Sequence, residues 1–248
     1  MTRIGENMKQ LLIILQITAI FGFVACGKKE EVKETSKGKI ERVIGEVSLI
    51  QNGKKSVAKK GDSILEGNII QTGSKAVAIV EFSDNNGSVE IQENSEFVIN
   101  QFNEKNQELI SKSGSFWLNA KKIKKETNFQ VVMPTSVAGI RGTKLYSFEN
   151  KDAGITGICH CQGAVEFKEN SSHYTGNHDS DFLVLTKGGK TIVITPEDFK
   201  QMGFKSEDDK NHAHSTLDDS SLGKKADMSD ERHKKILEIA EKKWSAMK

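Results

Sequence analysis

The sequence predicts a mainly β chain, with a sandwich or a solenoid-like stack as the candidate architectures and a short C-terminal α-helix. Three observations carry this. Short apolar-alternating runs follow one another from Lys39 to about Ile194, turn-forming residues separate them, and no long helical periodicity interrupts them. An α/β fold with parallel crossovers is thereby disfavoured.

Composition bounds the class before any element is placed. The chain has 248 residues, 36% hydrophobic and 28% charged, which suits one sizeable domain with appendages and excludes disorder throughout. A net charge of +2 supplies no basic stripe, so nucleic acid is not an expected partner.

The first element is a leader. "MKQLLIILQITAIFGFVACG" begins at Met8 with a lysine after it, runs apolar from Leu11 to Val24 and ends on Ala25, Cys26 and Gly27. A positive start, a short apolar core and small residues at its end predict a signal peptide over 1–25, and the fourteen residues of its apolar run, 11–24, are too few to span a bilayer comfortably. "FVAC" resembles a relaxed lipobox, with Phe23 where leucine is usual, and this makes Cys26 the expected lipidation site. The alternative is an ordinary signal peptide in which Cys26 is incidental. Residues 26–38, lipidated cysteine and then "GKKEEVKETSKG", are charged and without aromatics, which predicts a solvated tether. Several acyl chains on one cysteine would make that anchor stable.

Residues 39–200 are expected to form one all-β domain. Val89 and Ile91, Phe97 and Ile99, Phe116 and Leu118, and Phe129, Val131 and Met133 fall at period two, so each set belongs on one face of a strand. "NGK" after Ile50, "KKGD" at 59–62, "EGN" at 66–68, "DNNG" at 84–87 and "KGGK" at 187–190 supply turns. Their spacing suits a sandwich, a barrel or a loosely repetitive stack, and no strict repeat period is present.

The stretch from "GEVSLIQNGKKSVAKKGDSILEGNIIQTGSKAVAIVEF" through "SGSFWLNA" and "FQVVMPTSVAGIRGTKLYSF" to "CQGAVEFKE" resembles a FecR domain. The matching residues are Gly61, Asp62, Thr72, Gly73, Pro134, Thr135, Ala138, Arg141, Gly142 and Thr143, and the proline-to-RGT block is the most specific part. The resemblance covers roughly residues 39–170 and implies a β-rich domain outside the cytoplasm. Familiar members place a cytoplasmic segment and a membrane helix ahead of this domain and signal to a sigma factor. Only a signal peptide stands there in this sequence, so direct contact with a cytoplasmic factor is not expected.

Within "MPTSVAGIRGT", Pro134 cannot donate to a ladder, so the preceding strand is expected to end there or lie at an edge. Arg141 offers five donors on a rigid fork. Two readings follow: a corner locked by a buried or half-buried arginine, or a clamp for an anionic ligand, of which the corner is favoured.

A second cluster carries the sharper chemistry. Apart from Cys26, no cysteine or histidine occurs before Cys159, after which they crowd together. If "GICHCQG" is extended, Cys159 and Cys161 share one face and His160 takes the other. With His212 and His214 of "HAH" they would complete an S₂N₂ set suited to zinc or copper, and His178 and the neighbouring Asp179 are alternatives for the last ligand. Against this, "CHC" is not the CxxC of common zinc sites, and "KSEDDKNHAHSTLDD" also reads as a solvated loop.

Beyond residue 200 the composition shifts. Residues 201–228 read as an acidic, serine-rich loop or linker, and residues 229–247 as an amphipathic helix. Ser229 can cap it, Asp230 and Glu231 suit its first turn, and Ile236, Leu237, Ala240, Trp244 and Met247 make its apolar face.

The sequence shows no HExxH, no GxSxG and no phosphate loop, and it reads as no enzyme. The expected role is a lipid-anchored binding, sensing or scaffold protein of the cell envelope. Such a chain would be exported across the inner membrane and held by lipid on a periplasmic or surface face. Its expected partners are the membrane and an envelope protein or small ligand, and the alternative is a metal-binding envelope protein.

Overall fold

Alternation in the sequence becomes pleating in the chain. The computed structural model describes residues 35–151, 153–169, 172–176, 182–203 and 230–247. Its strands are β1 (Gly38–Ile44), β2 (Val47–Gln51), β3 (Lys54–Val57), β4 (Ser63–Ile64), β5 (Asn68–Thr72), β6 (Val77–Phe82), β7 (Gly87–Ile91) and β8 (Glu96–Phe102). They continue as β9 (Asn106–Ser113), β10 (Phe116–Ala120), β11 (Asn128–Met133), β12 (Ser136–Asn150), β13 (Ile155–Glu169), β14 (Ser172–Gly176), β15 (Phe182–Lys187) and β16 (Lys190–Ile194). Two helices follow, α1 (Pro196–Gln201) and α2 (Asp230–Ala246). The domain is thus mainly β.

Among the described residues the strands join one curled sheet, whose main path runs β3-β2-β5-β8-β9-β11-β12-β10-β7-β6-β1-β4. Neighbours are antiparallel except β9 and β11, which pair in parallel from Asn106 opposite Asn128. The curl folds the path on itself. Leu49, Ile70, Phe97, Leu109 and Phe129 from its first half pack in one cluster with Ile40, Val80, Val89, Phe116 and Leu118 from its second. Phe97 meets Phe116 edge-on at 5.1 Å between ring centres, and Phe82 meets Phe102 at 4.8 Å. This is sandwich packing within a single sheet. Each fully buried Phe or Leu contributes about 1.5–3 kcal/mol relative to exposure.

β12 explains how one sheet makes two layers. Its first residues pair with β11, Ser136 opposite Met133 and Gly139 opposite Gln130, and its later ones with β10, Lys144 opposite Asn119 and Ser147 opposite Phe116. Along its other edge it pairs with β13, and the register slips between Arg141 and Lys144. Gly142 lies in that slip with φ of 60°, a backbone region open to glycine at little cost. Ala138 and Ile140 before the bulge and Leu145 after it all reach the core.

β13, β15 and β16 extend the sheet and carry a second apolar cluster. Ile155, Cys159, Leu183, Leu185, Ile192 and Ile194 meet Ile236, Ala240 and Trp244 of α2. The Trp244 indole N–H donates to the Lys190 carbonyl at 3.1 Å, which fixes the helix against the β15–β16 hairpin. Met247, expected on the apolar face, lies one residue past the end of α2 and is 39% exposed, with its carbonyl accepting from Lys190 Nζ at 3.1 Å. The stretch 39–200, expected to be all-β, also contains α1. Thr195 and Asp198 cap that helix reciprocally, and Pro196 opens it.

Candidate functional site

The residues flagged in the sequence occupy three corners of the sheet. At the first, Gly61 takes φ of 92° and donates its N–H to the Ile40 carbonyl at 2.7 Å. Asp62 accepts the Lys59 N–H on Oδ2 at 2.8 Å, closing the turn that leads into β4. The second corner is the β11–β12 hairpin. Met133 pairs with Ser136, leaving Pro134 and Thr135 as an exposed two-residue turn.

Past that hairpin, Ala138 is fully buried and Thr143 is 1% exposed, but Arg141 faces solvent. An arginine that locks the corner by burial is therefore not what the structure shows. The corner is set by the bulge at Gly142, which passes β12 from one layer to the other and leaves the guanidinium outside.

The third corner holds Thr72 and Gly73 at the end of β5. Thr72 Oγ1 accepts the Ser95 N–H at 3.0 Å and donates to the Gln92 carbonyl at 2.5 Å, while the Thr72 N–H donates to the Ser95 carbonyl at 3.0 Å. Gly73 donates to the Glu46 carbonyl at 2.9 Å and accepts the Asn94 N–H at 3.1 Å. These bonds tie the ends of β2, β5 and β8 into the floor of a polar cleft of about 400 Å³.

One row of side chains runs through that cleft and ends just outside its lining at Lys112. Lys55 Nζ donates to Gln71 Oε1 at 3.0 Å, Gln71 Nε2 donates to Glu96 Oε2 at 2.8 Å, and Lys112 Nζ lies 2.8 Å from Glu96 Oε1. The hydrogen bond from Lys112, joined by that from Gln71, holds the Glu96 carboxyl below the usual carboxylate range, so it is anionic at neutral pH. Glu46 and Ser48 complete the near wall. Ordered donors and acceptors of both charges can hold a polar ligand or a peptide backbone. Nothing here pairs a nucleophile with a base.

Only part of the cysteine and histidine cluster lies within the described residues. Cys159 is 8% exposed, packed between Tyr146 and Leu183 on neighbouring strands under helix α2. Burial pushes the Tyr146 phenol up, and it remains a neutral donor to Gln92 Oε1 at 3.1 Å. His160 points to the other side of β13 and is 1% exposed. The backbone of Cys161 falls where the register slips, between Leu145 opposite His160 and Lys144 opposite Gln162. The regular alternation that set Cys159 and Cys161 on one face therefore does not run unbroken between them. His178, Asp179, His212 and His214 lie outside the described residues, as does Cys26. Among the described residues no three His, Cys, Asp or Glu side chains come together as a metal site.

Sequence reasoning missed Lys55, Gln71, Glu96 and Lys112. The available signal was weak: Gln71 and Glu96 stand beside the buried Ile70 and Phe97, and only β5 alternates between buried and half-buried positions.

Comparison with solved structures finds two crystal structures from Parabacteroides distasonis, each described as an anti-sigma factor. One is 12% identical with a TM-score of 0.45, covering 51% of this chain and 59% of that one, so this chain spans under two thirds of its length. The second is 11% identical with a TM-score of 0.46, covering 72% and 91%. A cell surface anchoring domain is 30% identical with a TM-score of 0.24, covering 25% of this chain and 82% of that one. These scores carry no functional argument. A search of curated proteins gave no match. No described helix is long and apolar enough to cross a membrane. Residues 68–166, from β5 through most of β13, match the family model described as FecR protein, so that stretch of the chain carries a FecR-like domain.

Proposed function

We propose that this chain is a non-enzymatic binding module of the cell envelope, whose contact surface is the cleft beside Thr72 and Gly73. The observation that supports this is the row Lys55, Gln71, Glu96 and Lys112, four polar side chains already oriented by one another across β3, β5, β8 and β9. A preorganised row loses little side-chain entropy when a ligand replaces the surrounding water. In this reading Cys26 carries lipid, residues 26–38 form the tether, and the folded part works outside the cytoplasm.

Two experiments test the proposal. A photo-crosslinking residue at Gln71 should trap a partner in cells, and the same residue at the exposed Glu104 should not. Trapping at neither or equally at both would reject the cleft. Labelled palmitate should enter the wild-type chain and not Cys26→Ser, and equal labelling would reject the anchor.

A further inference from the structure

The binding surface has an open edge beside it. β3 ends the path of the sheet and pairs only with β2 among the described residues. All four of its residues are exposed, and Val57 is 73% exposed. The opposite end of the path, β4, is only Ser63 and Ile64. Short edges protect a sheet from further pairing, so the two ends are treated differently.

The hairpin register says which backbone groups face outward. Asn52 and Gly53, with φ of 51° and 75°, make a two-residue turn between Gln51 and Lys54. The pairs Gln51–Lys54, Leu49–Ser56 and Val47–Ala58 are then the hydrogen-bonded ones, and the Ala58 N–H does donate to the Val47 carbonyl at 2.9 Å. By alternation the N–H and C=O groups of Lys55 and Val57 point away from β2. Lys55 also lines the cleft. A strand added here would pair with Lys55 and Val57 and lay alternate side chains toward the polar row.

Charge selects the occupant. Lys54, Lys55, Lys59 and Lys60 fall within seven positions, with Lys60 held by Glu41 at 2.7 Å. A second copy pairing edge to edge would set lysines against lysines, which is unfavourable, whereas acidic residues opposite them are favourable. We propose that β3 accepts an extended acidic segment of a partner protein as an added strand, its carboxylates toward the edge lysines and its alternate, uncharged side chains over the adjoining cleft. This rests on the reading of the cleft as the contact surface and specifies the partner's form.

The test uses the full chain in detergent and two short fluorescent peptides, one alternating glutamate with valine and threonine, the other with lysine in place of glutamate. Anisotropy should show the glutamate peptide binding about tenfold more tightly or better, a difference that several exposed charge pairs can supply. Val57→Pro removes one outward N–H and leaves the β2 ladder intact, so it should weaken binding roughly three- to tenfold. A Lys54→Glu, Lys59→Glu variant should reverse the preference between peptides, and it decides the matter if Val57→Pro does not fold. Equal or absent binding of the two peptides would overturn the proposal, as would a folded Val57→Pro that binds like wild type. Gln71→Ala separates the two ideas: binding lost with Val57→Pro but unchanged with Gln71→Ala keeps the added strand and removes the cleft. A partner trapped at Gln71 whose capture ignores Val57→Pro keeps the cleft and removes the added strand.

Discussion

Thr72 and Ser95 exchange two hydrogen bonds across the floor of the cleft. The Thr72 N–H reaches the Ser95 carbonyl and the Ser95 N–H reaches Thr72 Oγ1, each at 3.0 Å. Both residues are buried, at 7% and 5% exposure, so water does not replace a lost partner readily. Thr72→Val keeps the shape and strands the Ser95 N–H, and it is expected to cost about 1–3 kcal/mol in denaturant unfolding. Thr72→Ser keeps the hydroxyl and should cost less. A loss in Thr72→Ser larger than that in Thr72→Val would show that the methyl group, not the hydroxyl, holds this corner.

Arg141 and its neighbour Gly142 should respond in opposite ways to replacement by alanine. The arginine faces solvent, and Arg141→Ala is expected to change stability by no more than about 0.5 kcal/mol. A Cβ at Gly142 would meet nothing within 4 Å, but the φ of 60° there disfavours any side chain. Gly142→Ala should therefore cost about 1–2 kcal/mol through the backbone alone. Thermal unfolding of the two variants side by side checks this, and a larger loss at Arg141 would restore the buried-lock reading.

Gly157 lies under Phe148, its cross-strand partner between β13 and β12. A Cβ at Gly157 would sit 2.2 Å from the Phe148 ring and 2.9 Å from Leu185 Cδ2. Gly157→Ala should cost about 1–3 kcal/mol by overpacking. Phe148→Ala removes the obstructing ring, so the double variant should lose less than the sum of the single ones. A double-mutant cycle by denaturant unfolding measures the coupling, and strict additivity would mean that the ring does not set the need for glycine.

The legible parts of this fold are those encoded within a few residues. Val89 with Ile91, Phe97 with Ile99, Phe116 with Leu118, and Phe129 with Val131 and Met133 all reach one core, as their period of two requires. β3 gives no such signal because all four of its residues are exposed, and β9 buries Gln107, Leu109 and Ser111, a pattern with one apolar residue in three. The cleft was illegible for a different reason. Lys55, Gln71, Glu96 and Lys112 meet only through the pairing of β3, β2, β5, β8 and β9, a register that no local pattern states. The same holds for Cys161, whose place at a slip in register depends on β12.

The contact between Asp198 and Lys243 makes the docking of α2 sensitive to acid. Lys243 Nζ lies 2.8 Å from Asp198 Oδ2, which also accepts the Thr195 N–H at 2.7 Å and the Thr195 hydroxyl at 2.9 Å. Burial by itself would raise this carboxyl, but Lys243 and the Thr195 donors outweigh it and hold it below the usual range. A carboxyl lowered in the folded state contributes fully above its unfolded value of about 3.9, and the contribution is lost as pH falls through the folded value. With Lys243 one-third exposed, the pair should stabilise docking by only about 0.5–1 kcal/mol. The Trp244 indole N–H, bonded to the Lys190 carbonyl, reports that docking directly. At neutral pH, Asp198→Asn should exchange this proton roughly two- to fivefold faster than wild type, the ratio that energy implies. Below pH of about 3.9 the difference should shrink as the wild-type carboxyl takes up its proton. A difference that persists unchanged in strong acid would mean that Asp198 acts through the cap of α1 and not through its charge on Lys243.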